Sequence, residues 1–303
     1  MPARPSAFSH LLAPGLRKVY WEKYKSLPLE YPQVFNINTS KRAYEEDIEI
    51  SSLGMAVPKP VGAPIIYDLP FEGQVKRYTH VAFGLGFRVT REMYDDDLYG
   101  IMKRMSQALA KSMKITQEVY AWNIFNRAFN SAYPGPDGKP LCATDHPDIA
   151  GHAGSGPFAN KPAVDADLSL ASLQAAINTF ETMTDDRGMP IVIRPKLLLV
   201  HPNNKWIARE LLESEYKPYT GDNEINVLAD EGLKYMICHY LTDEDAWFLI
   251  GGKDDHYLNF FWRVRPEFGS EDDFDTMDAK FRSYERFSVG FSGWRGIYGS
   301  PGA

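Results

Sequence analysis

Residues 75–130 read VKRYTHVAFGLGFRVTREMYDDDLYGIMKRMSQALAKSMKITQEVYAWNIFNRAFN, and the reading of this stretch decides the fold. In its first part the apolar side chains fall on odd positions, Val75, Val81, Phe83, Leu85, Phe87 and Val89, interrupted by Arg77 and Thr79. The even positions carry Lys76, Tyr78, His80, Ala82, Gly84, Gly86 and Arg88. Period two is the mark of a strand with one face buried. A strand of about 15 residues spans roughly 50 Å, beyond the ~3–10 residues of ordinary strands.

After Thr90, which reads as an N-cap, the apolar spacing becomes helical: Leu98, Ile101, Met102, Met105, Leu109, Met113, Tyr120, Ile124, Phe125 and Phe129. Glu92, Asp95, Asp96 and Asp97 crowd its start, where carboxylates favour the positive end of the helix dipole. No proline intervenes between Pro70 and Pro134. The spacing therefore predicts one helix of up to ~40 residues, ~60 Å long, over 90–130. A coiled coil or bundle is disfavoured, because strict heptads are absent and no second long helix is expected to pair with it.

A chain of 303 residues with 44% hydrophobic content can build one large core or two modest ones. No apolar run reaches the ~20 residues needed to span a bilayer, and Met1 to His10 lacks a signal-type apolar segment. The expectation is a soluble protein without membrane contact. Cys142 and Cys238 are too few for a disulfide framework, which points to a reducing compartment. The formal charge of −7 and the absence of a Lys/Arg run longer than Lys41-Arg42 or Lys76-Arg77 argue against a dedicated DNA-coating surface.

The remaining chain divides by composition. Residues 1–45 form an arm with a short helical pattern at Leu16 to Lys25; Tyr20, Trp21, Tyr24, Tyr31 and Phe35 give it too much aromatic surface for a free tail. Ile48 and Ile50 open a stretch punctuated by Pro58, Pro60, Pro64 and Pro70, which reads with the long strand as a two-stranded projection. Such a ribbon is marginal alone and must lie on a neighbour. A Pro/Gly-rich crossover then leads to a helix at Leu168 to Met183 and to alternating strand and helix from Pro190 to Gly252. Leu258 to Val264 and Phe281 to Phe291 return to period two, with the acidic link Glu271, Asp272, Asp273 between them.

Catalytic constellations are weak. Cys142, His146 and His152 have the residue types of a thiol hydrolase pair or of three metal ligands, but they lie in a Gly/Pro loop without a fourth ligand at zinc-finger spacing. Gly84-Leu85-Gly86 lacks the third glycine of a dinucleotide turn, and neither a Gly-Lys-Ser/Thr nor a Gly-x-Ser-x-Gly motif occurs. Asp95-Asp96-Asp97 reads as helix-start carboxylates and Glu271 to Asp275 as a solvated turn. No catalytic, cofactor or metal residue is assigned.

Several segments in order carry a resemblance: KRAYEEDIEISSLG at Lys41 to Gly54, GAPIIYD at Gly62 to Asp68, RYTHVAFGLGFRVTREMYDDDLYG at Arg77 to Gly100, LCATDHP at Leu141 to Pro147, PKLLLVHP at Pro195 to Pro202 and FRSYERFSVGFSGWRGIYGS at Phe281 to Ser300. Together, from about Leu16 onward, they resemble the major capsid proteins of tailed bacteriophages, in the branch of the Mu-like prophage major head subunit. The resemblance implies an α+β fold of the Hong Kong 97 type. Its parts would be an N-terminal arm at 1–45, an extended two-stranded loop at 46–89, a peripheral domain at 90–189 with its spine helix at 90–130, an axial domain at 190–255, and return strands to the peripheral domain at 256–303.

It also implies a non-enzymatic subunit that self-assembles into hexamers and pentamers of an icosahedral shell around double-stranded DNA, in the virion, after assembly in the host cytoplasm. Portal and decoration proteins are implied partners. The arm is shorter than the scaffolding region some relatives carry, so scaffolding would come from a separate protein or the form shown is mature. Lys59, near the ribbon tip, is assigned no cross-link. Intersubunit contacts are expected at Tyr20, Trp21, Tyr24, Leu53, Met55, Val57, Ile65, Ile66, Tyr67 and Phe71. An encapsulin-like compartment is the runner-up, and a thiol hydrolase at Cys142 and His146 the remote alternative.

Overall fold

The computed structural model describes residues 6–96, 100–148, 157–217, 224–273, 276 and 278–303. Its helices are α1 (Ser6–Ser26), α2 (Arg91–Asp95), α3 (Ile101–Asn126), α4 (Leu170–Glu181) and α5 (Lys205–Glu213). The strands are β1 (Asn36–Thr39), β2 (Tyr44–Ile50), β3 (Glu72–Thr79), β4 (Val81–Val89), β5 (Leu197–Val200), β6 (Lys234–Ile237), β7 (Trp247–Ile250), β8 (Leu258–Asp272), β9 (Ala279–Phe291) and β10 (Ile297–Ser300). They form a sheet of order β1-β8-β9-β4, a second of order β10-β7-β5-β6, and the separate ribbon β2-β3.

The long alternation of the sequence is two strands, because the chain changes partner and phase at His80. β3 pairs with β2, whereas β4 pairs with β9, Val81 opposite Phe287 and Val89 opposite Ala279. The side chains turned inward are even-numbered before the switch (Tyr78, His80) and odd-numbered after it (Phe83, Phe87, Val89), leaving Val75, Val81 and Leu85 exposed. His80 secures the joint, its Nε2 3.0 Å from the Ser40 hydroxyl and its Nδ1 3.0 Å from the Ser288 hydroxyl. The ribbon strands are thus Tyr44–Ile50 and Glu72–Thr79, and β4 belongs to the first sheet.

The predicted helix over 90–130 is also divided. Thr90 caps α2 as expected, its hydroxyl accepting from the Met93 N–H at 3.3 Å, but Gly100 sits at φ +64° and α3 begins after it. A left-handed residue ends one helix and lets the next start in a new direction, and glycine is the residue that does so without a Cβ clash. Asp97 and Leu98 lie outside the described residues.

A second long helix exists after all. The arm's short pattern extends into the 21 residues of α1, which packs along α3. The Ser106 hydroxyl donates to the Leu16 carbonyl and the Tyr24 hydroxyl meets Gln117, so contacts advance in the same direction on both helices and the pair is parallel. Both lie on one face of the first sheet, where Tyr20 reaches the Ser283 hydroxyl at 2.8 Å and packs against Phe268, the ring centroids 4.9 Å apart.

The second half of α3 runs between the two sheets. Trp122 and Phe125 are fully buried in a core shared by β5, β7, β8, β9 and β10, with Phe125 5.1 Å from Phe248 of β7. One turn earlier the buried Glu118 carboxylate accepts from the Glu30 and Tyr31 N–H groups and from Trp122 Nε1 at 2.8 Å, which fastens the segment between α1 and β1 to the same helix. The second sheet carries its own core with α4 and α5, including Leu173, Phe180, Leu211 and Leu249. Ser169 and Ser172 close a reciprocal capping box at the start of α4. β10 does not return to the first sheet but edges the second, against β7; the sequence expectation had the whole of 256–303 returning to the peripheral part.

Between α3 and β9 lies a buried acid. Glu285 accepts from Gln117 Nε2 at 2.6 Å, while its Oε1 has no partner among the described residues. Burial pushes its carboxyl from the ordinary 4.5 up to about 7, against the opposing pulls of the Gln117 bond and the Lys114 charge. A carboxyl that binds its proton more tightly folded than unfolded loses stability as pH rises from its unfolded to its folded value. Burial depresses His256 to about 4, and its contribution runs the other way, so the difference between variant and wild type isolates Glu285. Glu285→Gln should match wild type near about pH 4 and exceed it at about pH 8 by on the order of 2–3 kcal/mol in urea denaturation. Equal stability at the higher pH would show that the carboxyl ionises without cost.

Candidate assembly surfaces

The ribbon is held by its register, Tyr44 opposite Thr79 through Ile48 opposite Val75, and by Arg77, which bonds Glu46 at 2.9 Å and lies over the Tyr44 ring at 3.9 Å. Pairing continues to Ser51, whose N–H donates to the Phe71 carbonyl at 2.9 Å. Beyond it, residues 52–70 have neither strand nor helix. Pro58, Pro60, Pro64 and Pro70 remove backbone donors there, so no sheet ladder can form.

That loop is apolar and bare. Met55 is 80% exposed, Tyr67 90% and Val61 fully so, with Leu53, Val57, Ile65, Ile66 and Leu69 more than half exposed. Scattered surface apolar residues are ordinary, but a contiguous apolar segment marks an interaction surface.

Only the root of the loop is tied down, and arginines tie it. Asp68 accepts from the Gly54 N–H at 2.7 Å, the Leu69 N–H at 2.9 Å and Arg187, whose other amino group donates to the Leu69 carbonyl at 2.8 Å. These bonds, that from Gly54 foremost, hold the Asp68 carboxyl below its ordinary value. Ser52 bonds Asp185. Arg295, resting on Trp294, joins Glu49 of the ribbon at 3.2 Å to Asp186 at 2.6 Å, and burial pushes the Glu49 carboxyl up against the pull of that guanidinium.

The structure treats the expected contact residues unequally. Leu53, Met55, Val57, Ile65, Ile66 and Tyr67 are exposed together on the loop, while Phe71, 38% exposed, lies under the Arg187 guanidinium at 5.0 Å. Tyr20 is 0% exposed inside its own subunit, which removes it as an intersubunit contact. Trp21 and Tyr24 are half-buried against it. The arm's aromatics stick to their own chain because α3 offers them an apolar stripe. Sequence reasoning missed the arginine clamp, since nothing in the spacing of Arg187 or Arg295 links them to residues more than a hundred positions away.

Cys142 and His146 are structural. Cys142 is buried, and desolvation pushes its thiol well up, the reverse of an activated nucleophile. His146 stacks on Trp294 at 4.5 Å, with Nδ1 2.6 Å from Asp137 and Nε2 3.0 Å from the Asn160 amide oxygen. Asn160, which the sequence did not single out, is the hub: its amide nitrogen donates to the Leu141 carbonyl at 2.8 Å and the Ile297 carbonyl at 3.1 Å, joining the crossover to β10. His152 lies outside the described residues. No cluster of three metal-ligating side chains occurs among those described.

The family model described as phage capsid protein matches residues 73–300. No curated protein matches the chain. Among solved structures, the procapsid of bacteriophage JBD30 is similar at 18% identity and TM-score 0.53, over 98% of this chain and 76% of that one. The capsid of the native GTA particle gives 11% and 0.56, over 90% of each chain. The capsid of cyanophage P-SCSP1u gives 7% and 0.54, over 90% of this chain and 87% of that one. At these identities the likeness is one of fold.

Replacing residues 53–70 by a short Gly/Ser turn should leave the circular dichroism spectrum intact and cost no more than about 1–2 kcal/mol, because the lost hydrogen bonds lie at the surface and water reaches the Arg187 guanidinium once the loop that covers it is gone. Loss of the cooperative unfolding transition would show that the loop belongs to the subunit's own core.

Proposed function

The chain belongs to the phage capsid protein family, and from that premise we propose that it is the major head subunit, with a Hong Kong 97-type α+β fold, building an icosahedral shell of hexamers and pentamers. The observation that carries this reading is the apolar loop at residues 52–70, which stands on an arginine-clamped root with no cover among the described residues of its own chain. A second copy of the subunit supplies the missing cover. Placement in the Mu-like branch rests on the sequence segments quoted above.

The physics of a closed shell favours this design. One subunit must occupy five- and six-fold rings at slightly different angles, and symmetric assemblies of that kind need interfaces that are large yet adjustable. A proline-stiffened loop without a fixed sheet ladder can follow a neighbour through small rotations while keeping its apolar contacts. Burying a large apolar side chain contributes roughly 1.5–3 kcal/mol, and several per subunit offset the cost of ordering the loop. Obligate interfaces of this class bury roughly 2,000–5,000 Å².

The shell would enclose double-stranded DNA in the virion after assembly in the host cytoplasm, with a separate scaffolding protein, a portal and decoration proteins as partners. The subunit is structural rather than enzymatic: the buried, raised thiol of Cys142 argues against the hydrolase alternative. Family membership weighs against the encapsulin-like compartment.

Sedimentation velocity at micromolar concentration, with negative-stain electron microscopy of the same samples, should show rings, tubes or closed shells, alone or with co-expressed scaffolding protein. The variant carrying Met55→Ser, Ile65→Ser, Ile66→Ser and Tyr67→Ser should stay folded and sediment as a small species. A wild-type protein that remains a compact monomer under both conditions refutes the shell.

A further inference from the structure

A strand edge is a row of unpaired N–H and C=O groups, and proteins blunt it with shortness, bulges, charges, proline or a covering segment. Among the described residues the strand edges of this chain are blunted in those ways, with one exception. β1 and β6 are four residues long. The β10 edge is covered where the Gly299 N–H donates to the Asn160 carbonyl at 3.0 Å. The ribbon carries Glu45, Glu46, Asp47, Lys76 and Arg77, with a register shift between Ile48 and Ile50. Where β8 runs past β1 it holds Pro266, the charges of Arg263, Arg265 and Glu267, and two register shifts against β9.

β4 has none of these devices. It pairs with β9 on one side from Val81 to Val89 without a register shift, and no backbone hydrogen bond reaches its other side among the described residues. It contains no proline, and its one charged residue, Arg88, is joined to Asp278 at 3.3 Å. The margin is apolar, with Val81 and Leu85 each 48% exposed. Val119 and Tyr120 of α3, also exposed, share with Val81 and Phe83 the lining of a cavity of about 740 Å³ beside it.

The sequence of β4 identifies the occupant. VAFGLGFRV reads the same from either end except at Ala82 and Arg88. Antiparallel pairing with a second β4, centred on Leu85, sets Val81 opposite Val89, Phe83 opposite Phe87, Gly84 opposite Gly86 and Leu85 opposite its own copy. Each face of the strand then meets its like, and the one unlike pair, Ala82 with Arg88, opposes no like charges. A slip of one residue would send the phenylalanines to the wrong face, so the register is specified. Gly84 and Gly86 leave the centre of the strand free of side chains on one face, where a second backbone can come close.

We propose that the free edge of β4 is a contact surface for a second copy of this chain, the two strands pairing antiparallel about a two-fold axis through Leu85. The contact differs in kind from that of the apolar loop. A loop laid on a different surface of its neighbour makes a heterologous contact and generates rings, whereas a strand paired with its own copy is isologous and joins two subunits. A shell needs both kinds, and the place of the β4 contact between rings rests on the capsid reading. The pairing itself is read from the edge and its sequence.

The test uses the full chain, whose Cys142 and Cys238 are buried, in solution and in assembled particles. A bis-maleimide of ~8 Å span should join Leu85→Cys chains into dimers, since opposed residues on antiparallel strands stand roughly 5 Å apart. Val81→Cys chains should stay unlinked, because the two copies of that residue lie roughly 27 Å apart at ~3.4 Å per residue. Leu85→Lys and Leu85→Glu should each keep a native circular dichroism spectrum and raise the concentration needed for self-association by at least about tenfold, as like charges meet on the axis. Mixing the two variants should restore association. Equal linking at Val81 and Leu85, no Leu85 link in either state, or no rescue on mixing overturns the pairing. Shells that form without a Leu85 link refute the β4 contact and leave the capsid reading intact. A Leu85 link in a protein that builds no shell supports the β4 contact and counts against the capsid reading.

Discussion

The structure depends on the second half of α3 being held from both sides. Trp122 and Phe125 are touched by residues of both sheets, so neither sheet has a complete core without the helix between them. Truncating a buried Phe or Trp to Ala typically costs about 3–5 kcal/mol, a large share of a domain's net stability of ~5–15. Glu118, one turn earlier, extends the hold to the segment that joins α1 to β1. His80 then fixes where the ribbon leaves the sheet, bonded on one side to Ser40 and on the other to Ser288. Core, arm and ribbon root thus form one continuous set of contacts.

Against that set, the loop at 52–70 stands apart. A subunit able to bury Trp122, Tyr20 and Phe35 completely leaves Met55, Val61 and Tyr67 almost wholly in water. The arginine clamp resolves the contrast: Arg187 and Arg295 orient the root of the loop and leave its apolar length presented rather than collapsed. In the assembly proposed above, folding and assembly draw on different residues, which is what a protein that must fold alone before it polymerises requires.

Much of this was legible in the order of residues, and the failures have physical causes. Period two at Phe281 to Phe291 and the apolar runs at Leu197–Val200 and Trp247–Ile250 appear as strands because burial acts on them locally. The break at His80 was invisible because the alternation of apolar residues continues through a change of partner strand, while the buried side switches. Gly100 was overlooked because only prolines were weighed as breakers, and a left-handed glycine interrupts a helix as firmly. α1 was underestimated because its stripe of Leu16, Tyr20 and Tyr24 looks short until α3 is beside it. The loop's apolar residues were readable from sequence. The clamp and the Asn160 hub are long-range constructions that no local spacing announces.

The central claim is that the apolar loop is completed by a neighbouring subunit. Hydrogen exchange of the amides at 52–71, followed by mass spectrometry in the isolated subunit and in assembled particles, tests it directly. The account predicts fast exchange in the subunit, where outside the root the Ala63 N–H, bonded to the Pro60 carbonyl at 3.1 Å, is the one loop amide with a backbone partner among the described residues, and protection by at least about tenfold in the particle, with the α3 amides protected in both. Equally fast exchange of the loop in intact particles would contradict it.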